Sequence, residues 1–193
     1  MKQATRLFVI IIVCAFSAKS EVSIGLMLRS NLSSYSEKSA DSIERSGSSF
    51  GLDIGPVVRI KVSSRTEVAP YLGLSVDNTS KKVGNGNTVS TDNSGMFFGC
   101  GMYFFLAENS LFKFSLGPRL HGSFWFTQTD ANFGVDLPLN FDIPVAGPWS
   151  IRASASVIDV WYSYSDNGGT RQGTFNYNLM SIFMPELSFF VTF

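Results

Sequence analysis

The stretch LSFFVTF, Leu187–Phe193, places Leu187, Phe189, Val191 and Phe193 at every second position. Successive side chains of a strand point to opposite faces, so this spacing reads as a strand with one apolar face. The same period recurs seven more times toward the N-terminus. Val22, Ile24, Leu26 and Leu28 alternate with Ser23, Gly25, Met27 and Arg29. Phe50, Leu52, Ile54, Pro56, Val58, Ile60 and Val62 oppose a second set that includes Asp53, Arg59 and Lys61. Val68 to Val76, Met96 to Leu106, Phe112 to Phe126, Phe133 to Ile143 and Ile151 to Tyr162 continue the pattern. In the last of these the apolar phase changes after Val157, which a one-residue bulge restores. The final segment runs from Tyr177 to Phe193.

Eight alternating segments without a helical period predict an antiparallel up-and-down sheet. The connections expected between them alternate in length. Residues 63–66, 107–110 and 144–149 read as short turns, whereas 30–49, 78–94 and 164–175 are rich in Ser, Asn, Gly and Thr and read as long loops.

The N-terminal residues carry a different signal. Lys2 and Arg6 precede an apolar run from Leu7 to Phe16, followed by Ser17, Ala18 and Ser20. That order is the one of a cleavable signal peptide, residues 1–20, and its apolar run of about ten residues is shorter than the ~20 of a spanning helix. A retained anchor helix and a lipoprotein signal on Cys14 are the alternatives, the second weakened by Val13 before the cysteine. The remaining domain is 21–193. Without residues 1–20, which hold Lys2, Arg6 and Lys19 and no acid, twelve basic and fifteen acidic residues remain, net −3. That balance argues against nucleic acid as a partner. Cys100 alone remains, so neither an intramolecular disulfide nor a zinc site is expected. No cofactor is implied. Eighteen phenylalanines with only 16% charged residues are unusual for a water-soluble domain.

Two kinds of barrel share a period of two, and volume separates them. A soluble ligand-carrying barrel turns its apolar face inward, but eight strands enclose a space just wide enough for side chains or one small ligand. About forty large apolar groups do not fit there, whereas the glycines, serines and charges of the other face do. The expected fold is therefore an eight-stranded antiparallel up-and-down transmembrane β-barrel whose interior holds Asp53, Arg59, Lys61, Lys113, Arg119, Asp136, Asp142, Arg152 and Glu186 at mid-strand depth. Charges buried there should pair with one another. A plugged interior is expected over an open pore. By position, Phe97, Trp125, Phe126, Trp161, Tyr162 and Tyr164 read as one aromatic belt, and Phe104, Phe112, Trp149 and Phe193 as the other.

With a leader, eight amphipathic strands and a last strand closing on Phe193, the chain resembles the small outer-membrane barrels, the group of outer membrane protein X and the transmembrane part of outer membrane protein A. The resemblance implies a Gram-negative-type outer membrane, with its lipids and lipopolysaccharide as surroundings. It also implies that the barrel-assembly machinery reads Leu187, Phe189, Val191 and Phe193. An extracellular ligand would meet loops 30–49 and 78–94. Three functions follow as expectations: a structural or surface-interaction barrel, a lipid-modifying enzyme and a small porin. The enzyme reading rests on GPRLHGSF, residues 117–124, where His121 and Ser123 share one side of a strand. That pair resembles the outer-membrane lipid A deacylase family, with Asp136 as the only candidate for the acidic third member.

Overall fold

A computed structural model describes residues 21–38, 44–83, 87–126, 130–167 and 170–193. The expected leader, residues 1–20, lies outside them. The described residues form nine strands: β1 (Val22–Lys38), β2 (Glu44–Ser63), β3 (Thr66–Val83), β4 (Asn87–Glu108), β5 (Lys113–Leu116), β6 (Arg119–Trp125), β7 (Ala131–Ala146), β8 (Trp149–Asn167) and β9 (Thr170–Thr192). All pairings are antiparallel.

β5 and β6 are one strand with a break. Both lie between β4 and β7, and the break falls at Gly117 and Pro118. Proline cannot donate to the ladder, and a Cβ at Gly117 would overlap the Met102 carbonyl oxygen. The chain nevertheless stays attached, since the Met102 amide donates to the Pro118 carbonyl at 2.9 Å. Counting the pair once gives a ring of eight strands. It is closed by β1 against β9, from Ser23↔Thr192 to Arg29↔Glu186, so the paired region has no free edge.

The phase change in β8 has the cause anticipated for it. Asp136 faces Asp159 and Pro138 faces Ser156, so two residues, Val157 and Ile158, oppose one. Short turns join the strands at one end, among them the two-residue turn at Gly147 and Pro148, where Gly147 adopts a positive φ of 55°.

At the other end the long loops expected at 30–49, 78–94 and 164–175 are replaced by strand. β1 pairs with β2 from Val22↔Ile60 to Lys38↔Glu44, and β3 with β4 from Thr66↔Phe104 to Val83↔Asn87, leaving 39–43 and 84–86 as the connections. β8 and β9 pair out to Asn167↔Thr170. Polar residues on both faces erase the amphipathic period while leaving the backbone free to form its ladder, which is why these extensions look like loops in the sequence.

The two faces differ in kind. Large apolar side chains on the outward half, among them Leu26, Ile54, Leu74, Met102, Leu120, Phe133, Ile143 and Phe189, are exposed. Val22, Val58 and Ile60 form a small buried cluster apart from them. Inside, Met27, Val57, Ala69, Tyr71, Phe97, Tyr103 and Phe190 make the central core. Glycines make room for it: a Cβ at Gly99 would overlap the Tyr71 ring, and one at Gly73 the Phe97 ring. Phe97 is therefore no belt residue, since it is 1% exposed and points inward. Trp125 and Trp161 likewise line an inner cavity.

Candidate functional site: a charged, aromatic-filled lumen

The period of two that exposes the apolar set aims every second residue of each strand at the axis, and the charges on that side meet there in three groups. Arg152 of β8 lies between two acids. Its Nη1 is 2.5 Å from Glu67, and its Nε and Nη2 donate to Asp142 at 3.0 and 2.7 Å. Asp142 also accepts from Arg59 at 2.6 Å, and the Arg59 guanidinium lies 3.7 Å over the Phe190 ring. Arg119 of β6 makes a forked pair with Asp136, at 2.9 and 2.6 Å, and reaches Glu186 of β9 at 2.5 Å. The Ser156 hydroxyl donates to Asp136 as well. In the third group Arg29 donates to Asp53 at 2.7 Å, and Ser75 donates to the same carboxylate at 2.5 Å.

Aromatic rings fill the space that these pairs leave. Arg119 sits 5.7 Å from the Tyr71 ring, Arg152 5.3 Å from Tyr103 and Arg29 5.5 Å from Phe97. Such contacts satisfy the cation on the side its carboxylate does not cover. The layer separates two cavities that share no lining residue. One, of about 430 Å³, lies toward the short turns and is bordered by Arg59, Glu67 and Asp142. The other, of about 270 Å³, lies toward the long hairpins and is bordered by Arg29, Arg119 and His121.

Lys61 and Lys113 stand apart from this arrangement. They were expected at mid-strand depth, but each lies near a strand end and is partly exposed, Lys61 3.5 Å from Glu21 and Lys113 2.9 Å from Glu108. The hydrogen bond from Lys113 holds the Glu108 carboxyl below its usual range. Three charged residues not anticipated from the sequence take part: Arg29, Glu67 and Asp159. Each occupies an inward phase, so alternation alone locates them. Glu67 and Asp159 take partners from non-consecutive strands, whereas Arg29 meets Asp53 directly across the β1–β2 ladder.

His121 and Ser123 both face the lumen but are engaged separately. His121 Nε2 is 2.9 Å from Asp159 Oδ1, and Ser123 accepts from the Asn132 amide at 3.2 Å. Asp136, the anticipated third member, is held by Arg119 and Ser156, so Asp159 is the acid that orients the histidine. Activating a serine needs its hydroxyl within hydrogen-bond reach of the base. Here each group has another partner. Leu187 and Phe189 are exposed on the outward face of β9, and Phe193, one residue beyond its end, is exposed as well.

The fold thus belongs to the class of closed eight-stranded antiparallel sheets with a filled interior. Solved structures that it is similar to include the β domain of the Bordetella autotransporter BrkA, at 9% identity over 90% of this chain and 99% of that one, with a TM-score of 0.41. The transport unit of the autotransporter AIDA-I from Escherichia coli is another, at 9% identity over 91% of each chain, with a TM-score of 0.36. No protein-family model and no curated protein sequence matches the chain.

Proposed function

We propose that the chain is an integral outer-membrane β-barrel protein of a Gram-negative-type bacterium, with a side-chain-filled interior and a structural or surface-interaction role. One observation carries the reading: the large apolar side chains are exposed on the outward face while nearly all the deep charges are paired inside. In water that distribution would leave a continuous apolar girdle far larger than the patches monomeric soluble proteins tolerate. In a bilayer it is the favourable one, and closing β1 on β9 pairs strand edges that hydrocarbon would leave unsatisfied. A spanning strand needs only about 9–11 residues. The 17 of β1, 20 of β2, 18 of β3 and 22 of β4 carry the hairpins well beyond that thickness.

The hairpin extensions then form part of the outer surface. β1 stays paired with β2 to Lys38↔Glu44 but with β9 only to Arg29↔Glu186, so the outer part of β1 offers a strand edge to an extracellular ligand. The lipid-modifying and porin readings are less favoured, because His121 and Ser123 lie inside with separate partners and the aromatic layer blocks passage. The outward Leu187, Phe189, Val191 and Phe193 remain the segment offered to the assembly machinery. Membrane fractions of cells expressing the chain test the proposal. Retention in the outer membrane after a urea wash supports it, and recovery in the soluble periplasm refutes it. Shortening both long hairpins should leave retention intact and reduce attachment to cells or matrix.

A further inference from the structure

We infer that the 270 Å³ cavity at the hairpin end of the lumen is a binding site for a small organic cation, such as an aliphatic diamine. Its walls carry more negative charge than the lumen's own cations neutralise. Arg29 offsets Asp53. Arg119 must serve both Asp136 and Glu186, which leaves one carboxylate in excess. Asp77 and Asp159 line the same space, and neither has a guanidinium partner among the described residues. The cavity is therefore lined by five carboxylates against two guanidiniums. Low-dielectric walls strengthen such a field and draw in counter-ions.

A second observation points to an occupant. Ser154 is 6% exposed and lines the cavity, yet its hydroxyl oxygen has no hydrogen-bond partner. The same is true of Asp77 Oδ1. Buried polar atoms are rarely left unpaired, so a donor from outside the chain fits both.

The chemistry of the walls selects among cations. Among the described residues no three His, Cys, Asp or Glu side chains converge as a metal site, so the charge is spread along the cavity and suits an extended cation better than a point ion. Trp125 and Trp161 line the same cavity, and an indole face is the strongest aromatic partner for an ammonium group. The inference rests on the lumen geometry and not on the membrane reading.

Titration of the folded full chain in detergent with 1,4-diaminobutane at constant ionic strength, read by tryptophan fluorescence, tests it. A saturable change is expected, with Kd at least tenfold weaker in Asp77→Asn and in Asp159→Asn, each checked for native circular dichroism. Trp149 lies at the other end, so Trp149→Phe should keep the response. No saturation, an equal response to calcium chloride, or a response to glucose without one to the diamine overturns the inference. Should Asp159→Asn fail to fold, Asp77→Asn alone decides: unchanged affinity refutes the site.

Discussion

Arg119→Ala probes the lumen most sharply. The side chain is 5% exposed, and its partners Asp136 and Glu186 are 2% and 9% exposed. Deleting the guanidinium leaves two carboxylates inside with only the Ser156 hydroxyl to replace it. Removing one partner of a buried ion pair costs about 3–5 kcal/mol, because the remaining charge stays desolvated. With a urea slope of about 2 kcal/mol per molar for a small domain, the unfolding midpoint in lipid vesicles should fall by roughly 2 M. The combination Arg119→Met, Asp136→Asn, Glu186→Gln should recover at least half of that loss, since neutral groups of similar size carry no uncompensated charge. A loss below about 1 kcal/mol for Arg119→Ala would refute the reasoning, because it would mean that water already solvates these carboxylates and that the centre is open.

Other outcomes follow from the same geometry. Leu120→Arg places a charge on the outward face opposite Cys100 and should cost about 2–4 kcal/mol in a bilayer; an unchanged midpoint would contradict lipid contact there. Gly99→Leu drives a side chain into Tyr71 and should abolish folding or displace the ring, read from the tyrosine near-ultraviolet circular dichroism. In planar bilayers the native chain should give no reproducible channel, whereas Tyr71→Ala with Tyr103→Ala should open one, since both rings belong to the central layer. Glu108→Gln removes a pair outside the spanning region and should cost less than about 0.5 kcal/mol. The native Glu108 carboxyl is held low, so its small contribution is present above the unfolded carboxylate range and fades as pH falls through the lowered folded value; Glu108→Gln should lose that dependence in urea titrations at several pH values.

The eight-fold alternation was legible because a half-apolar strand writes its period into the chain, and even the bulge in β8 shows as a slip of phase at Val157. The hairpin extensions were not. Between Asn31 and Ser49 no apolar period survives, and only the pairing of 31–38 with 44–51 makes those residues β-structure. Face assignment by phase placed Arg119, Asp136, Asp142, Arg152 and Glu186 inward. Who pairs with whom depends on barrel register, which joins Arg119 to Glu186 across 67 positions. Phe97, Trp125 and Trp161 lie near strand ends, which suggests a belt, but their phase turns them inward.

The central claim is that the bulky half of each strand touches hydrocarbon. Cys100, exposed on that half in mid-strand, gives a native reporter. Labelled with a bimane and reconstituted into vesicles, it should be quenched strongly by lipids brominated along the acyl chain and weakly by aqueous iodide. Strong iodide quenching with no effect of the brominated lipids would contradict the account.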